Sequence, residues 1–160
     1  MIRNIQENLS RQIRALALLS SLLEEEFADL CERRPHNVST LEFSIQELMR
    51  QIALERQSLR AMIHAAYPGK KRVREVVQEL AGEDAEVLSA LLQDLDRAEQ
   101  MCAIQADKNH QLAMGLYDQS LKLLKHLHQA IEPGKSDLYS RRGRYAKSLQ
   151  PQASVFHGRL

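Results

Sequence analysis

Six histidines, a run of three glutamates and two cysteines are the residues of this chain best suited to chemistry. Histidine and carboxylate together hold metals, and di-metal helical bundles do so with Glu-x-x-His motifs on facing helices. None of His36, His64, His110, His126, His128 and His157 has a glutamate three residues before it. His126 and His128 are two residues apart, which sets them on opposite sides of a helix, so they do not share a metal from it. Positive charge near a helix C-terminus is favourable on its own account. Glu24, Glu25 and Glu26 flank Leu23 and Phe27 and read as a solvated face rather than a ligand set. Cys31 and Cys102 form no C-x-x-C pair and read as reduced, small apolar residues of a cytoplasmic protein. There is no glycine-rich phosphate loop, dinucleotide fingerprint or G-x-S-x-G elbow. The sequence therefore points to no catalytic residue, no metal and no cofactor, and the expectation is a protein that is not an enzyme.

What remains are surfaces that bind. The cluster "GKKRVR" reads as a solvated turn or a contact for an acidic partner. Net charge is +1, but unevenly placed: the chain up to Glu132 holds 16 basic and 20 acidic residues, and the stretch beyond it 6 and 1. A basic tail without a basic helix face or an aromatic platform gives no case for nucleic acid. "ALALLSSLL" is too short and mixed to span a bilayer, so no stable membrane insertion is expected.

The elements that carry these residues are helices. Aromatics make up 4% of the chain and Trp is absent, so Leu and Ile must fill any core. Ile2, Ile5, Leu9, Ile13, Leu16, Leu19, Leu23, Phe27 and Leu30 recur in steps of three and four, predicting one amphipathic helix over roughly 2–32. Pro35 stops it. Ser39 and Glu42 form a capping-box pattern that opens a second helix, with Leu41, Ile45, Leu48, Ile52, Leu59, Met62 and Ala66 apolar and Glu55 breaking the stripe. "YPGKK" ends it. A short helix near 71–81 carries Val73, Val76, Val77 and Leu80, Gly82 closes it, and Asp84 can cap the next helix. The third long helix runs from about Ala85 to Ile131 along Leu88, Leu91, Leu95, Ala98, Cys102, Gln105, Asn109, Leu112, Leu116, Leu123, Leu127 and Ile131.

The expected fold is all-α: an elongated antiparallel bundle or coiled coil of three long helices and one short one, with a disordered tail. A helical domain over 1–132 is followed by a flexible basic tail over 133–160. At 1.5 Å per residue the third helix is about 70 Å long against about 45 and 40 Å for the others, so part of it should overhang. The leucine-dense end then waits for a partner, and Leu112, Leu116, Leu123, Leu124, Leu127 and Ile131 are the candidate binding residues. The alternative is a break near Gly115 that folds the helix back. Gln105 and Asn109 lie in the stripe, where amides either fix register or line a partner groove.

Several stretches resemble the FlgN-type flagellar export chaperones. "LALLSSLLEEEFADL", then "ALERQSLRAMI", resembles their opening helices, with Glu55, Arg56, Gln57, Ser58 and Leu59 in an acidic-basic-polar-polar-Leu segment. "DKNHQLAMGLYDQSLKLL" is similar to a family segment built around an Asn, here Asn109. Leu138, Tyr139 and Gly143 match the spacing of a Leu-Tyr-x-x-x-Gly tail, with departures at Ser140, Arg141 and Arg142. The resemblance implies a cytoplasmic chaperone that binds the C-terminal helical ends of flagellar hook-associated proteins. It prevents their premature assembly and delivers them to a component of the type III export gate, with Tyr139 as docking residue beside Leu138 and Gly143. The alternative is a generic coiled-coil adaptor or scaffold, and a homodimer is one state open to the chain.

Overall fold

The computed structural model describes residues 2–131. Four helices make up this part, with no strand among the described residues: α1 (Ile2–Cys31), α2 (Pro35–Ala66), α3 (Val73–Val77) and α4 (Glu83–Ile131). The chain divides into two compact units, Met1–Ser120 and Leu121–Leu160. The tail residues Leu138, Tyr139 and Gly143, and the proposed boundary at 132, lie outside the described residues.

The first unit is a three-helix coiled coil, and its seams are legible as rows of seven-spaced residues. Ile45, Ile52 and Leu59 form the row of α2, and Leu9, Leu16 and Leu23 that of α1. Ile5 and Leu19 fill the intervening positions of α1, and Leu88, Leu95 and Cys102 come from α4. Heptad spacing keeps one stripe facing its partners over the whole length.

Helix directions follow from cross-contacts. Asn8 meets Glu55, so α1 and α2 are antiparallel neighbours of one hairpin. Contacts between α1 and α4 keep a constant offset of 86 residues: Leu16 with Cys102, Leu23 with Asn109, Arg33 with Gln119. α4 is therefore parallel to α1 and antiparallel to α2, an up-down-up arrangement.

The α1–α2 turn is built on backbone hydrogen bonds. Arg34 N–H donates to the Asp29 carbonyl (2.9 Å) and Arg33 N–H to the Leu30 carbonyl (3.2 Å), with Arg33 at φ 56°. That is the left-handed C-terminal cap usually given to glycine. α2 begins at Pro35, not at Ser39 as the capping-box pattern suggests. Proline lacks the N–H that a first helical residue would leave unpaired, so it ends one helix and opens the next. Ser39 and Glu42 thus lie inside α2. α3 is shorter than expected, but it buries Val73 and Val76 against the bundle. Asp84 is not a cap either. The Gly82 carbonyl starts the helix by accepting from the N–H groups of Ala85 and Glu86. Glu83, Asp84 and Glu86 favour this end through the helix dipole.

α4 passes through Gly115 unbroken and has 49 residues, about 73 Å at 1.5 Å each. The fold-back alternative is not what the chain adopts.

Candidate partner-binding surface

The polar residues of the seams decide how the surface is presented. In the first layer, Asn8 is fully buried and donates from Nδ2 to the Glu55 carboxylate (2.5 Å) and the Glu55 carbonyl (3.1 Å). Gln12 donates to Asn8 Oδ1 (2.7 Å), and Arg11 makes a two-pronged contact with Glu55, both arms at 3.0 Å. That hydrogen bond raises the Arg11 guanidinium above its ordinary value. One residue on, Arg56 reaches Glu99 of α4 at 2.6 Å, and Leu59 is in the core. The segment from Glu55 to Leu59 therefore ties α2 to both neighbouring helices.

The second layer lies near the far end of α1. Asn109 is 4% exposed and donates from Nδ2 to the Leu23 carbonyl (2.7 Å) and the Glu26 carboxylate (2.6 Å), while accepting from Gln105 (3.0 Å). Both amides are thus engaged within the chain, which selects register over groove lining. One of the three glutamates, Glu26, is the acceptor in this layer. Cys102 donates its thiol to the Leu16 carbonyl at 3.2 Å, and burial pushes its pKa up, with Glu99 adding to the effect. Cys31, by contrast, is exposed.

The basic cluster is largely answered inside the molecule. Lys70 pairs with Glu79 and Arg74 with Asp96 of α4, while Glu75 accepts the Lys71 backbone N–H. These contacts pin the α3 connection. No cluster of three or more metal-ligating side chains occurs among the described residues. No described helix is long and apolar enough to cross a membrane.

The candidate binding residues fall into two groups. Leu112 and Leu116, in the first unit, are half-buried. In the second unit Leu123, Leu124, Leu127 and Ile131 are exposed, Leu123 by 61% and Ile131 by 76%. The sequence spacing joins them: Leu88, Leu95, Cys102 and Asn109 are buried at seven-residue intervals, Leu116 continues the row half-covered, and Leu123 continues it exposed. Leucine stands near both ends of this row, buried at Leu88 and Leu95 and exposed at Leu123. Sequence reading overlooked Met114, Tyr117 and Leu121, which are also exposed. Their spacings of three and four were the available signal. It also overlooked Asn8 and Gln12, because amides between apolar heptad positions resemble ordinary surface residues.

A family model described as FlgN protein matches residues 1–147, a span that includes both polar layers, α4 and the Leu138–Tyr139–Gly143 spacing. No curated protein and no solved structure matches the chain. With a match over most of its length, the chain belongs to the FlgN family of flagellar export chaperones, a chaperone family rather than an enzyme family.

Proposed function

We propose that this protein is a cytoplasmic bodyguard for flagellar hook-associated proteins: it binds their C-terminal helical ends, prevents premature assembly and hands them to the type III export gate. The observation that supports this is the heptad row of α4, buried through Asn109 and exposed at Leu123. The residues proposed to hold a cargo helix are Leu112 and Leu116 in the first unit and Leu123, Leu124, Leu127 and Ile131 in the second. Fully burying a leucine contributes about 1.5–3 kcal/mol, so a few of them support useful affinity after ordering costs.

In this reading residues 1–132 form the chaperone domain and 133–160 a basic tail. Leu138, Tyr139 and Gly143 are the element that docks on the gate. One aromatic anchor on a short linear element binds weakly and reversibly, as a carrier that must let go requires. The test is a pull-down of the full chain with the isolated C-terminal helical segment of a hook-associated protein. Capture that disappears in Leu123→Asp supports the proposal. Capture that is indifferent to Leu123, or no capture by a folded chain, favours the adaptor.

A further inference from the structure

α2, which lies wholly within the first unit, has a second face that the other described residues leave uncovered. Thr40, Phe43, Glu47, Arg50, Leu54 and Gln57 are all exposed and follow one another in steps of three and four. At about 100° per residue they share an arc about 100° wide, centred roughly opposite the buried row of Ile45, Ile52 and Leu59. Phe43, 75% exposed, is the most exposed large apolar side chain among the described residues of the first unit. Leu54, 51% exposed, lies eleven residues on, about three turns along the same line. Between them Arg50 donates to the Glu47 carboxylate at 2.7 and 2.9 Å. The row is polar, apolar, acidic, basic, apolar, polar. Reversing it keeps each class in place and exchanges only the two signs of charge.

We infer that this face pairs with the same face of a second copy of the chain, the two α2 helices running antiparallel across a two-fold axis between Leu48 and Met49. Such an axis sets each residue against the one equally far beyond the midpoint. Phe43 then meets Leu54 of the second copy, Glu47 meets its Arg50, and Thr40 meets its Gln57, each contact being made twice. Arg50 uses two N–H groups on its own Glu47, which leaves three for the facing carboxylate. Parallel pairing in register would set glutamate on glutamate and arginine on arginine, so the charges select the direction. A second copy is favoured as occupant because it presents the same spacing with the signs exchanged. Two phenylalanines and two leucines make a small core, so the pairing is weak and reversible. None of these residues is a cargo candidate, and the inference stands apart from the cargo reading.

The test is sedimentation velocity of the full chain over a concentration series, with circular dichroism to check the fold of each variant. The wild type should pass from monomer to dimer as concentration rises. Glu47→Arg and Arg50→Glu each set like charges across the axis and should weaken pairing about tenfold. An equimolar mixture of the two should restore it, because each variant supplies the sign the other lacks. On oxidation in a Cys31→Ser background, Thr40→Cys should cross-link to Gln57→Cys and not to itself. Phe43→Glu should abolish pairing and leave capture of the hook-associated segment unchanged. A wild type that stays monomeric throughout overturns the inference. So does a dimer indifferent to the charge variants, a mixture no better than its components, or self-cross-linking of Thr40→Cys. Loss of capture in a folded Phe43→Glu chain overturns it in favour of a cargo helix on this face. Failure of capture by the wild type sinks the chaperone reading and leaves a charge-dependent dimer as support for the pairing.

Discussion

Asn109 of α4 donates a 2.7 Å hydrogen bond to the carbonyl oxygen of Leu23 on α1, 86 residues away, the same separation that relates Cys102 to Leu16. Two contacts one heptad apart with one offset define a register. The upper contact is made by a buried amide, which tolerates only the position where its partners are in place.

Replacing Asn109 with alanine should cost about 1–3 kcal/mol, because the Glu26 carboxylate loses a close donor and Gln105 its acceptor. Urea unfolding followed by circular dichroism measures this as a lower midpoint with an unchanged slope. Asn109→Leu should recover only the packing part of the loss, since it leaves Glu26 and Gln105 without their partner just as alanine does.

Glu47 is held to a pKa of about 2, from the ordinary 4.5, chiefly by its hydrogen bonds from Arg50 and then Gln51. The folded value lies below the unfolded one, so the ionised carboxylate contributes stability above about pH 4.5 that is lost as pH falls toward 2. The pair is solvated, so the contribution is small. A carboxyl carbon NMR titration should place the Glu47 midpoint near 2 in the wild type and raise it in Arg50→Gln, with the Gln51 hydrogen bond still holding it below the ordinary 4.5.

Gly115 sits inside α4, and a methyl group added there would meet nothing within 4 Å. Gly115→Ala should therefore raise stability by up to about 1 kcal/mol through helix propensity alone. The readout is greater helicity on thermal scans, with the melting midpoint moving up and cargo capture unchanged.

Leu123→Asp and Tyr139→Ala should separate two activities. Leu123 is exposed, so the aspartate should leave the helical spectrum intact and abolish capture of the hook-associated segment. Tyr139→Ala should keep that capture and lose delivery, measured as secretion of hook-associated protein. Weaker capture by the purified tyrosine variant would show that the tail shares in cargo binding.

Periodicity made the helices readable from the residues alone: the α1 stripe ends where α1 ends, and a stretch without proline remains helical through Gly115. Boundaries resting on a single residue were less readable. Pro35 is a stop for the preceding helix and a start for the following one, and the Ser39–Glu42 pattern is indifferent to which side of the boundary it lies on. Pairing was not readable, because a heptad row says that a face is covered without saying by which helix or in which direction. The parallel match of α1 with α4 depends on the chain between them, through α2 and the α3 connection. For the same reason Glu55 is visible in the sequence as a polar interruption, whereas its donor Asn8 emerges only when the two helices are laid side by side.

The amide at position 109 also acts as a pawl. Cys102 and Leu116 lie seven residues to either side of it, so a one-heptad slip of α4 would set Leu116 in the place beside Leu23. Asn109 would then lie beside Leu16, two turns from its present place by Leu23 and Glu26. Its hydrogen bonds to the Leu23 carbonyl and the Glu26 carboxylate oppose that slip and hold the register.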